Sequence, residues 1–246
     1  MYLEQIILKG NKCLNTTEVE HINDECRKNQ LIKKHILQDL PRAKDNEYVR
    51  EAVIPKTCCH KYDVRKLVLK DVSFYSSDFI AKFCHIHKRE LHTLKLINVH
   101  TEQQLSSLMI YLRDAKHQIA TLHIENCTIH EQYLAQFLNM LKTNKTIKSL
   151  SFVNMMNMQK FLKRLFRCLK RNTTLEHLCL KENEIDNYDY INKLIRKNHF
   201  IHKIDVRENY MNEEILESLW DSLHFNIELT ELSFDSQDNE LDQIAI

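Results

Sequence analysis

An apolar pattern, L-x-x-L-x-L, returns about every 28 residues along most of this 246-residue chain. A period of that length confines the fold to stacked repeats, because one short unit cannot bury its own apolar face. The clearest copies are Leu91/Leu94/Leu96, Ile119/Leu122/Ile124, Ile147/Leu150/Phe152, Leu175/Leu178/Leu180, Ile201/Ile204/Val206 and Leu229/Leu232/Phe234. Val64/Leu67/Leu69 precedes them. Leu3/Ile6/Leu8 and Ile32/Leu37, with His35 in an apolar slot, are weaker copies. A second marker tests the register independently: an asparagine sits three residues before many starts, at Asn29, Asn144, Asn172, Asn198 and Asn226. Nine units follow, starting near 3, 32, 64, 91, 119, 147, 175, 201 and 229, with an irregular insertion at 41–63 and a C-terminal cap at 235–246.

Within one unit two periods alternate. Leu122 and Ile124 alternate with Thr121, His123 and Glu125, which is the period of a half-buried strand. Leu134, Phe137, Leu138 and Leu141 then recur at helical spacing. The same stripe appears as Leu105/Leu108/Met109/Leu112, Leu162/Leu165/Phe166/Leu169 and Leu216/Leu219/Trp220/Leu223. One glycine and two prolines are few for so many turns. The recurrent asparagine is expected to supply the left-handed conformation that ends each helix.

Bulk numbers exclude several classes. Thirty-five basic and 34 acidic residues leave a formal charge of +1, with no global pull toward nucleic acid or anionic membrane. No apolar run approaches a membrane span, and the N-terminus lacks the layout of a signal peptide. Eight cysteines without a C-x-x-C are expected as free thiols in a reducing compartment.

The nine units resemble the leucine-rich repeat, in its ribonuclease-inhibitor-like class with long units and true outer helices. The resemblance implies an α/β solenoid, or horseshoe, forming a single domain over 1–246. A parallel concave sheet of about nine strands would face convex helices. One slot departs from the pattern. The family often places Asn or Cys eight residues after each start, and here that slot reads Asn11, Leu40, Val72, Val99, Cys127, Met155, Asn183, Asn209 and Gln237. Side-chain bonding along that turn is expected to be incomplete in the middle units.

Strand residues that alternate with the buried ones are expected on the concave face. Candidate partner-binding residues there are Lys34, Ile36, Lys66, Val68, Lys70, Lys95, Ile97, His123, Glu125, Ser151, Lys181, Lys203, Asp205 and Arg207. The column runs from apolar and basic at its N-terminal end to mixed and acidic at its C-terminal end, and Ile7, Ile36 and Val68 form an apolar stretch. No P-loop, dinucleotide fingerprint, H-E-x-x-H or nucleophile elbow is present, so no enzyme activity and no cofactor are expected. Cys58, Cys59, His60, Cys84 and His87 carry metal-ligating groups, but adjacent cysteines chelate one ion poorly. Whether they bind a metal stays open. Lys160, Lys163, Arg164, Arg167, Lys170 and Arg171 crowd one helix, most simply as a solvated face; a nucleic-acid partner is a third reading.

The last residues, FDSQDNELDQIAI, are acidic and then apolar. This ending is similar to that of leucine-rich-repeat effectors exported by bacterial type IV machinery. The expectation is therefore a non-catalytic protein-binding scaffold in the cytoplasm. As an effector, it would be delivered to a host cytosol to engage a host protein through the concave face. The alternative is an endogenous inhibitor or assembly adaptor.

Overall fold

The computed structural model describes residues 6–8, 34–38, 65–70, 79–86, 88–89, 91–99, 102–113, 117–129, 131–235 and 243–245. The chain divides into two compact units, 1–119 and 120–246. The expected insertion at 41–63, Cys58, Cys59, His60 and His87, and most of the expected cap lie outside the described residues.

In the N-terminal unit β1 (Ile6–Leu8), β2 (Lys34–Gln38), β3 (Lys66–Lys70) and β4 (Thr93–Ile97) pair in parallel, in chain order. α1 (Phe79–Ile86) and α2 (Glu102–Arg113) pack on each other. In the C-terminal unit β5 (Thr121–Glu125), β6 (Ser149–Val153), β7 (His177–Cys179), β8 (Lys203–Asp205) and β9 (Glu231–Ser233) are again parallel and consecutive. Between them run α3 (Glu131–Thr143), α4 (Met158–Leu169), α5 (Asp189–Lys197) and α6 (Glu213–Leu223), each packed on the next. Every strand from β2 to β9 begins two residues after its expected unit start. Each unit thus has the α/β strand–helix arrangement of leucine-rich repeats.

The register explains the period. Leu122, Leu150, Leu178, Ile204 and Leu232 are direct partners along the sheet, so the middle apolar residue of each motif stacks on its equivalent. All five are buried. Burying each contributes roughly 2 kcal/mol, and no single unit could gain this alone. Phe137, Phe152 and Phe161 fill the space between sheet and helices edge to face, with centroids 5.4 and 5.5 Å apart.

Four expectations need correction. The recurrent asparagines do not take up the left-handed conformation: Asn198 is extended at φ −108° and ψ 120°, and Asn144, Asn172 and Asn226 have no positive φ either. They act through their side chains instead. Each carboxamide oxygen accepts the N–H of the residues two and three further on, for example Phe200 and Ile201 onto Asn198 at 2.8 and 2.9 Å. From Asn172 onward the amide donates back to the preceding repeat: Asn172 to the Leu141 carbonyl, Asn198 to those of Leu169 and Asn172, and Asn226 to those of Ile195 and Asn198. Second, left-handed residues fall seven after each start, at Asn98, Asn126, Asn154, Glu182 and Glu208. Asparagine tolerates that conformation and glutamate does so at a cost, so these turns manage without glycine.

Third, the chain adds a strand that the repeat did not foresee. β10 (Gln243–Ala245) pairs antiparallel with β9 and covers its edge. Fourth, the helical stripe of α6 is not wholly core. Leu219 is buried, but Trp220 is 39% exposed. Phe166 on α4 is likewise half-buried, tilted against Tyr190 with centroids 6.1 Å apart.

Candidate protein-binding surface on the strand face

Alternation along each strand sends one set of side chains into the core and the other to the open face of the sheet. In the N-terminal unit the register sets Lys34 beside Lys66, Ile36 beside Val68, Val68 beside Lys95, and Lys70 beside Ile97. Lys66, Lys70, Lys95 and Ile97 are half-buried, and Lys70 and Lys95 have no ion pair among the described residues. Val68 departs from the alternation. It is only 7% exposed, so all three central residues of β3 are buried and Val68 serves as core rather than contact surface.

In the C-terminal unit the candidates are braced by neighbours. His123 on β5 meets Glu125 on the same strand, ring nitrogen to carboxylate at 2.8 Å. Ser151 stands half-buried on β6, paired in register with His123 and Cys179. Lys203 on β8 pairs with Glu231 on β9 at 2.6 Å. The densest group gathers where β7, β8 and β9 end. Arg207 donates through Nε and Nη2 to both oxygens of Asp205, at 3.0 and 2.8 Å, and its backbone N–H also reaches Oδ1. The Cys179 thiol lies 3.8 Å from Asp205 Oδ2. Lys181 bridges Glu208 at 2.6 Å and Glu182 at 3.3 Å, and the Glu208 N–H donates to Asp235.

Burial raises the Asp205 carboxyl, but the Arg207 hydrogen bonds outweigh it and hold the acid below its usual range. The bond to Asp205 raises Arg207 in turn, and the bond to Glu208 raises Lys181. Burial pushes the Cys179 thiol up, away from thiolate character. Burial, and then Lys203, lowers His177. The group therefore offers fixed charges rather than a poised nucleophile. It holds two cations, Lys181 and Arg207, against four acids, Glu182, Asp205, Glu208 and Asp235, and is net acidic. The cations expected here are thus already neutralised within the face.

Glu182 and Glu208 were invisible to a reading by strand alternation because they sit in the turn after the strand. Their left-handed backbone is what carries each carboxylate back to Lys181. Asn183 and Asn209 hold the same turns. Asn183 donates to the Phe152 and Lys181 carbonyls and accepts the Met155 N–H. Asn209 donates to Leu180, Val206 and Arg207 and accepts Asn183 and Ile185. The Cys127 thiol donates to the Glu125 carbonyl at 3.2 Å.

Among the described residues Cys84, Cys127, Cys168 and Cys179 are free thiols. Cys84 is fully buried and burial pushes its thiol up; His85, beside it, is exposed. Burial also raises Cys168, to about 11. No described helix is long and apolar enough to cross a membrane.

No protein-family model matches the chain, and no curated protein matches it. Among solved structures, an internalin from Listeria monocytogenes is similar at a TM-score of 0.35 and 11% identity, over 97% of this chain and 83% of that one. A likeness that distant does not bear on activity or partner.

Proposed function

We propose that this chain is a non-catalytic scaffold that binds another protein through its strand face. The observation that carries this reading is the braced charge group of Lys181, Glu182, Asp205, Arg207, Glu208 and Asp235. Its side chains are fixed before any partner arrives, so docking loses little side-chain entropy. The group's net acidity favours a partner segment bearing lysine or arginine. His123, Glu125, Ser151 and Lys203 extend the same surface in the C-terminal unit. Lys34, Ile36, Lys66, Lys70, Lys95 and Ile97 offer a more basic and apolar face in the N-terminal unit.

The finer reading is a translocated bacterial effector that meets a host protein, supported by the acidic and then apolar C-terminal sequence. An endogenous inhibitor or adaptor of ribonuclease-inhibitor-like type would use the same face. Affinity capture from host lysate, read by quantitative mass spectrometry, tests the binding claim. Asp205→Ala with Glu208→Ala, and separately Lys95→Ala, should each deplete a protein that the parent retains. Retention of every captured protein by both variants would remove the strand face as the binding surface.

A further inference from the structure

Two charge stripes on the outer helices of the C-terminal unit remain unused by this binding face. α4 and the turn after it carry Lys160, Lys163, Arg164, Arg167, Lys170 and Arg171, all exposed, with no acid in the helix. Arg164 is paired with Glu131 at 2.8 Å, and Lys170 lies over the Phe166 ring. Lys163, Arg167 and Arg171 have no ion pair among the described residues. α6 carries Glu213, Glu214, Glu217 and Asp221, also exposed, again with no ion pair among the described residues.

Helix dipoles do not account for both stripes. Lys160 and Lys163 stand toward the positive N-terminal end of α4, and Asp221 stands at the negative C-terminal end of α6. Like charges four residues apart also repel along each helix. Both placements cost stability unless an opposite charge meets them. The spacing identifies what could. Lys163, Arg167 and Arg171 recur every four residues, and so do Glu213, Glu217 and Asp221. On a helix that is a step of about 6 Å, so Lys163 and Arg167 match two successive acids of the α6 stripe, with Arg171 following in the turn after α4. Trp220 lies within the acidic stripe and is 39% exposed, a face on which a guanidinium can stack.

We propose that copies of this chain associate head to tail, the α4 stripe of one against the α6 stripe of the next. In a head-to-tail contact each copy keeps one patch free for another, whereas a two-fold contact would pair both patches at once and close as a dimer. One helix face per side makes a small interface, so association is weak and salt-sensitive. The aromatic residues of α4 are not available for stacking on bases: Phe161 is buried and Phe166 is covered by Tyr190 and Lys170. That favours a protein partner over single-stranded nucleic acid.

Sedimentation of the full chain at low ionic strength tests this. The average mass should rise with concentration past that of a dimer, and fall to the monomer value in high salt. Glu217→Lys with Asp221→Lys should shift that rise about tenfold or more in concentration, as should Lys163→Glu with Arg167→Glu. An equimolar mixture of the two variants should regain association, which no folding defect can imitate. If a reversal variant fails to fold, Glu217→Gln with Asp221→Asn gives the weaker version of the same shift. A parent that stays monomeric or stops at a dimer at every concentration overturns the proposal, as does a mixture that stays monomeric. A monomeric parent that retains an RNA duplex, and loses it with Lys163→Glu and Arg167→Glu, assigns the stripe to a phosphate backbone instead.

Discussion

In the C-terminal unit, buried asparagines tie successive strand entries to the repeat before: Asn198 alone receives Phe200 and Ile201 and donates to the carbonyls of Leu169 and Asn172. In the N-terminal unit, His117 takes that place ahead of Ile119. It is 1% exposed, its Nδ1 accepts the Ile119 N–H at 3.1 Å, and its Nε2 meets the Leu112 carbonyl at 2.9 Å. Those two bonds require a neutral ring with the proton on Nε2. The imidazole spans from helix end to strand entry, and the Asn198 carboxamide spans from strand entry to the carbonyls of the repeat before. The repeats share one apolar period, but the described turn ahead of Ile119 is held by an imidazole where those ahead of Leu175, Ile201 and Leu229 are held by a carboxamide. Apolar stacking is enough to set strand register; the asparagine side chains additionally fix the loops that aim the strand face.

The largest effect expected from that difference is at Asn198. Asn198→Ala removes the partners of the buried Ile201 N–H and the Asn172 carbonyl, with the part-buried Phe200 N–H besides, and should cost about 3 kcal/mol or more in urea unfolding. His117→Ala removes the ring that accepts the buried Ile119 N–H and should cost about 2 kcal/mol. Equal losses at the two positions would mean that the bond from Asn198 to the Asn172 carbonyl adds nothing to stability.

A smaller effect of opposite sign is expected at the left-handed glutamates. Glu182→Asn should raise stability by about 0.5–1 kcal/mol, because asparagine adopts that backbone more readily. Glu208→Asn should gain less, since its carboxylate also holds Lys181 at 2.6 Å. A loss at Glu182 would mean that its pair with Lys181 outweighs the backbone cost.

The smallest effect concerns pH. His177 titrates below its ordinary value of 6.5 in the folded chain, from burial and then Lys203. The unfolded chain therefore binds this proton more readily. Stability from this group is present above 6.5 and is lost as pH falls through the lower folded value. His177→Gln should flatten the acid limb of a stability–pH curve and leave the alkaline side unchanged. Asp205, held low by Arg207 despite burial, is depressed in the same way, so its share is lost only at still lower pH.

The repeat register was legible from apolar spacing alone, because a strand start is set by which residues must be buried. That is why β2 to β9 each begin where the pattern places them. The asparagine marker was legible as a position but not as a mechanism: composition pointed to backbone conformation, while the chemistry lies in a carboxamide that both donates and accepts. The left-handed slot left a trace in Asn98, Asn126 and Asn154, which then broke at Glu182 and Glu208. Alternation placed Lys66, Lys70, Lys95, Ile97, His123, Glu125 and Ser151 opposite the buried strand residues, but it failed at Val68, which is core. The pairing of the strand-face charges was not legible, because Lys181 is answered by Glu208 from the turn of the next repeat, 27 residues on. β10 carries no repeat signal, since an antiparallel edge strand needs none of the motif's apolar positions.

The account rests on a strand face held rigid by side-chain ties between successive repeats. Hydrogen exchange of the full chain, parent against Asn198→Ala, tests this most directly. Exchange in the parent should be slow at the amides of Leu175, Ile201 and Leu229, with a marked rise at Ile201 in the variant that spreads to the Lys181–Arg207 turns. Fast exchange at those amides in the parent, or an Asn198→Ala chain that exchanges like the parent, would contradict it.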